Sequence, residues 1–153
     1  MPYADDEARQ ELLDHVAEAT EQAGAALTAL GAAYEQLDEQ SGDRLEQELF
    51  RPVQVAYGRA RRTHAGFAER HRLPGRDFTA PASAGLPSQG VRGFVERAVD
   101  AIEAADGELA ELQDSMRPVE VGDTELRAGL AEVRALLAPL PERARGFLRT
   151  LGR

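Results

Sequence analysis

The chain has 153 residues, 42% hydrophobic and 29% charged, with a net charge of −9. That is enough for one domain with its own core, and too apolar for a disordered chain. Cysteine is absent, which excludes disulfides, thiolate metal sites and a cysteine nucleophile.

Apolar residues at alternating steps of three and four predict a first helix over residues 5–40. They are Leu13, Val16, Thr20, Ala23, Leu27, Leu30, Tyr34 and Leu37. Asp5 or Asp6 can cap this helix. Ser41-Gly42-Asp43 reads as a stop and a restart, with Gly42 closing one helix and Asp43 capping the next. A second helix is expected over 44–72, with Leu45, Leu49, Val53, Ala56, Ala60, His64, Phe67 and His71 on one stripe. Pro52 lies inside it and should kink or divide it, and Leu73-Pro74-Gly75 should end it.

Residues 73–90, LPGRDFTAPASAGLPSQG, are dominated by Pro, Gly, Ser and Ala and read as a loop. A third helix follows over 88–116 through Val91, Phe94, Ala98, Ile102, Ala105, Leu109, Leu112 and Met116. A turn at 117–123 leads to a fourth, capped by Asp123 or Thr124 and carrying Leu126, Leu130, Val133, Leu137, Leu140, Ala144, Phe147 and Leu151. Pro139 and Pro141 should kink or split this last helix.

Helices of matched length with one apolar stripe each predict a single all-α domain over 1–153. Its expected form is an antiparallel four-helix bundle, up-down-up-down, with coiled-coil-like packing. A homodimer that completes a thin, alanine-rich core is the alternative arrangement. Gly24 and Gly31, seven apart, suggest close helix approach.

Charge is segregated along the chain. Residues 1–50 carry 13 acids and 2 arginines, whereas 51–76 carry 7 arginines and 1 acid. Residues 143–153 hold 4 further arginines. In an up-down-up-down bundle the acidic start of the first helix would face both arginine groups, and the charges would clasp one pole. The acidic stripe Glu96, Asp100, Glu103, Glu111 and Asp114 reads as a solvated helix face.

Few residues suggest chemistry. His15, His64 and His71 fall near one level of the expected bundle and are the candidate metal ligands. The Glu-x-x-His pairing of di-metal bundles is missing, so neither metal nor cofactor is expected. Arg59, Arg61, Arg62, Arg70, Arg72 and Arg76 could bind a polyanion, but the net charge opposes nucleic acid. Phe78 and Leu86 are candidate contact residues in the loop. No phosphate loop, nucleophile elbow or histidine metal motif occurs, so no enzyme is expected.

All 18 basic residues are Arg, and Lys and Asn are absent, as codon bias in a GC-rich bacterium would produce. No apolar run is long enough for a membrane span, and neither a signal peptide nor a lipidation motif is read, so the cytoplasm is expected. The resulting expectation is a non-enzymatic helical interaction module, a scaffold, adaptor or regulatory protein with a protein partner. Ligand or metal binding at the histidine level and polyanion binding by 59–76 are the alternatives.

Overall fold

The computed structural model describes residues 2–151; Arg153, one of the four C-terminal arginines, lies outside them. Among the described residues every element is helical. They are α1 (Pro2–Tyr34), α2 (Glu39–Leu45), α3 (Arg51–Arg70), α4 (Gly90–Asp114), α5 (Arg117–Val121), α6 (Thr124–Leu137) and α7 (Leu140–Leu151). Among the described residues no helix is long and apolar enough to cross a membrane.

The first turn comes earlier than the sequence suggests. α1 ends at Tyr34, and Asp38, not Asp43, caps the next helix by accepting from the Ser41 N–H at 2.8 Å. That N–H lowers the Asp38 pKa from its ordinary value. Ser41-Gly42-Asp43 therefore lies inside α2, where Gly42 leaves room for the ring of Tyr34. Tyr34 lies over it, 45% exposed, rather than in a helix seam.

At Pro52 the helix is divided but does not end, and α3 opens with the proline in its first turn. Five residues of wider π-helix, Glu46–Phe50, join α2 to α3 just ahead of it. Proline has no N–H to give to the carbonyl four residues back, and its ring crowds that carbonyl. Here that group is Glu48 O, which accepts instead from Arg143 of α7 at 3.1 Å.

Side-chain pairings give the helix directions. Along α1 and α4, Glu11 pairs with Arg117 and His15 with Glu108, while Gly31 and Phe94 line one cleft at the other end. One number rises as the other falls, so the two helices are antiparallel. Asp14 faces His64 and Gly24 lies against Tyr57, so α1 and α3 are antiparallel as well. Arg70 with Asp123 and Arg59 with Glu132 do the same for α3 and α6. Arg134 with Asp106 joins α4 to α6.

The up-down-up-down order is thus overturned: α3 and α4 run parallel, and the order is up-down-down-up. The cause is the loop, which does not turn between neighbours. It climbs the outside of α1 from Arg76 at Glu21, through the Pro81 carbonyl at Thr28 (2.7 Å), to the Pro87 carbonyl at Gln36 (2.9 Å). α4 therefore starts at the pole where α1 ends. Each pair of long helices in contact is antiparallel, with α1 touching α3 and α4, and α6 touching the same two.

The core lies between these four columns. Phe67, Phe94, Phe147 and most leucines of α1, α4 and α6 are buried in it, with Val53, Ala56 and Ala60 from α3. Ala19, Ala23, Ala26, Ala29 and Ala33 line the inner side of α1 and are all buried. Gly24 leaves space for Tyr57 and for the backbone of Ala80, but Gly31 meets nothing within 4 Å and serves no close approach. At Gly129 of α6 an added Cβ would run into Thr63 of α3, lying 2.8 Å from its Cγ2.

Met116, expected on an apolar stripe, is 52% exposed in a left-handed turn (φ 64°). The segment 117–123, expected to be a turn, contains the short helix α5. Between α6 and α7 the helix is interrupted at 138–139, and α7 resumes at Leu140.

Candidate functional site

The arginine stretch lies on the last three turns of α3 and the start of the loop, and its members have separate fates. Arg70 reaches across to α6, where its Nε and Nη2 donate to the two Asp123 oxygens at 2.9 and 2.8 Å. Asp123 also accepts from the Leu126 N–H at 2.8 Å as the N-cap of α6, and it bonds His71 Nε2 at 2.9 Å. Arg70 Nη1 donates to Glu125 at 2.7 Å.

Burial alone would raise the Asp123 carboxyl. The Arg70 bonds, the Leu126 N–H, His71 and the Arg70 charge outweigh it and hold the pKa at about 2. The Asp123 hydrogen bond raises the Arg70 pKa in turn. Arg59 pairs with Glu132 of α6 at 2.6 Å, and Arg76 pairs with Glu21 of α1.

The clasp therefore binds α3 mainly to the start of α6, not to α1 as expected. The α7 arginines lie at the opposite pole because α6 and α7 run in the same sense as α1. There Arg143 serves the Glu48 carbonyl, and Arg145 lies near Glu103 at 3.9 Å.

The other arginines are not used in this way. Among the described residues no ion pair joins Arg51, Arg61, Arg62 or Arg72 to a carboxylate, and all four are exposed. Arg61 lies over the Tyr57 ring at 5.4 Å. At 100° per residue, Arg51, Val55, Arg61, Arg62 and Ala65 fall on one solvent-facing side of α3, with Glu69 as the only acid there. Val55 is 52% exposed in the middle of this face.

Arg72 follows the end of the helix in a left-handed conformation (φ 56°), in the C-terminal position that usually takes glycine. Leu73 N–H to Ala68 O (2.8 Å) and Arg72 N–H to Glu69 O (3.3 Å) complete this capping motif.

The three histidines face different neighbours, with His64 and His71 two turns apart at the end of α3. His15 pairs with Glu108 on the α4 side of α1. His71 turns toward α6, with its ring 4.3 Å from Phe67. His64 is 3% exposed and faces the loop, its ring edge-on to Phe78 at 4.9 Å. The three candidate imidazoles therefore do not converge, and among the described residues no group of three or more His, Cys, Asp or Glu could hold a metal ion.

Burial lowers the His64 pKa below its ordinary value, as does the Arg76 charge, while Asp14 acts in the opposite direction. Phe78 is accordingly half-buried rather than offered to solvent, whereas Leu86 is 72% exposed. The carboxylates of the α4 stripe are all exposed, Glu96 within 3.6 Å of Arg92.

Sequence reasoning did not single out Asp123 as more than a cap. Asp-Thr-Glu before an apolar periodic run signals a helix start, but its partner Arg70 lies 53 residues away. Nor could it divide the arginines into used and unused, since neighbours such as Arg61 and Arg62 differ from Arg59 only in helix angle.

Fold and site together define an all-helical protein with a charge clasp around the buried Asp123 at one pole and, among the described residues, an arginine face without carboxylate partners on one helix. No protein-family model matches the chain, and no curated protein or solved structure matches it significantly. Function is therefore read from the chemistry of these residues alone.

Proposed function

We propose that the protein is a four-helix bundle with a long crossover loop that works as a non-enzymatic interaction module. Its α3 face docks on an acidic surface of a protein partner. The observation that carries this reading is the division of the arginines. Arg59, Arg70 and Arg76 are engaged within the fold, while among the described residues no carboxylate pairs with Arg51, Arg61 and Arg62 on one exposed side of α3, or with Arg72 just past its end, in a chain of net charge −9.

Guanidinium groups in a row suit carboxylates, which they bind bidentately. Arg72 adds support. A non-glycine residue in a left-handed helix cap costs about 1 kcal/mol, and an arginine there is better explained by its charge than by its backbone. Nucleic acid fits less well: the net charge repels it, Phe67 is in the core, and Tyr57 lies beneath Arg61.

The test places a photo-crosslinking amino acid at Val55 and exposes cells of the source organism to light. A discrete adduct is expected, mapping to an acidic segment of the partner and lost in the Arg61→Gln/Arg62→Gln variant. An adduct that persists in that variant, or that maps to a basic or apolar segment, overturns the reading.

A further inference from the structure

His64 Nδ1 is the one buried side-chain nitrogen or oxygen among the described residues that has no hydrogen-bond partner. Such atoms are uncommon because each costs its desolvation with no return. Here the covering group is the loop. Phe78 closes over the imidazole, and Arg76 and Phe78 also line a cleft of about 410 Å³ with Tyr57, Gly24 and Glu21.

The loop is held loosely. Among the described residues no backbone–backbone hydrogen bond fixes 74–85. Its lower half rests on the Phe78 contact and on the Arg76–Glu21 pair, whose side chains are both about half exposed, with Arg76 also over the Phe78 ring. Exposed pairs contribute little. The upper half is better anchored, by Thr28, Gln36 and the buried Ala84.

We propose that residues 74–80 form a proton-operated strap: shut over neutral His64, and lifted from the α1–α3 groove when His64 takes a proton. The charges facing His64 are Asp14 from α1 and Arg76 from the strap. With the strap shut, an imidazolium would have a buried N–H without an acceptor and a guanidinium nearby. With the strap lifted, water reaches Nδ1, Arg76 moves away, and Asp14 remains to attract the charge.

The closed form therefore binds a proton less tightly than the open form, and acidification favours opening by linkage. The lowered His64 pKa agrees in direction. The open state would release Arg76 beside Arg61, adding charge to the α3 face; this last consequence alone rests on the function proposed above.

The 19F resonance of a fluorinated phenylalanine at Phe78 in the full chain, with hydrogen exchange of the flanking helices, tests the strap without any partner. Between pH 7.5 and 5.5 the signal of Phe78 packed on His64 should give way severalfold to that of a solvent-exposed ring. α1 and α3 should stay protected. His64→Leu, which cannot be protonated, should be flat with pH; if it does not fold, His64→Gln is read in its place. A Phe78 signal independent of pH in the wild type, an unchanged pH response in the variant, or simultaneous opening of α1 and α3 each overturns the proposal. Loss of partner crosslinking with the Phe78 signal still pH-dependent would count against the α3 face alone.

Discussion

Replacing Asp123 by Asn keeps a capping oxygen for the Leu126 N–H but removes the charge that Arg70 and His71 share. The carboxyl is held at about 2 against an ordinary 3.8, and each pKa unit corresponds to about 1.4 kcal/mol. The charged form therefore contributes about 2–3 kcal/mol to stability. The group is buried (8% exposed), so solvent screening removes little of this. For a chain of this size that is roughly 5–10 °C in Tm.

The pH dependence has a definite sign. The folded pKa lies below the unfolded one, so the contribution is complete above about pH 4 and is lost as pH falls through about 2. Urea unfolding followed by helical circular dichroism, at pH 7 and at steps down to 2, measures both effects. The wild-type minus Asp123→Asn difference should be about 2–3 kcal/mol at pH 7 and shrink across that window. Arg70→Gln should cost a similar amount, and the double variant little more than either single one. Arg61→Gln/Arg62→Gln should stay within about 0.5 kcal/mol of wild type, since neither side chain is paired. An Asp123→Asn variant within 0.5 kcal/mol of wild type, or a difference that does not change with pH, would refute the clasp.

Gly129→Ala should destabilise by about 1–3 kcal/mol despite its better helix propensity, because the new methyl runs into Thr63. In a Thr63→Ala background the same change should be neutral or stabilising by up to about 1 kcal/mol, and thermal melts of the four chains read that reversal. Arg72→Gly should raise stability by about 1 kcal/mol in urea unfolding while weakening partner capture, so its two effects have opposite signs. Arg143→Met leaves the Glu48 carbonyl without its donor and should cost about 1 kcal/mol by the same measurement; Pro52→Ala in that variant supplies an N–H and should recover most of it.

What local sequence determined here is the helices and their inward faces. Three-and-four spacing of Leu, Ala and Phe carries this, because a residue one turn away must share its neighbour's environment. Leu49, Val53, Phe67, Phe94, Leu109, Leu130 and Phe147 are buried as their spacing implies. The position of the arginines at the end of α3 was equally legible.

Tertiary structure decided what local spacing does not encode. The chain order of the columns depends on the path of residues 73–90, and their composition signals only a loop. Side-chain contacts to Glu21 and Thr28 of α1, and to Gln36 just past its end, lead this loop along the bundle instead of across its end. That reversal moves the α7 arginines away from the acidic start of α1 and makes Asp123 the partner of Arg70. It also places His15, His64 and His71 on different faces, because level follows from helix rise whereas facing follows from which neighbour lies on each side. For the arginine stretch, composition marked a positive cluster; only the neighbours of α3 determined that Arg70 closes the fold while Arg61, Arg62 and Arg72 remain free.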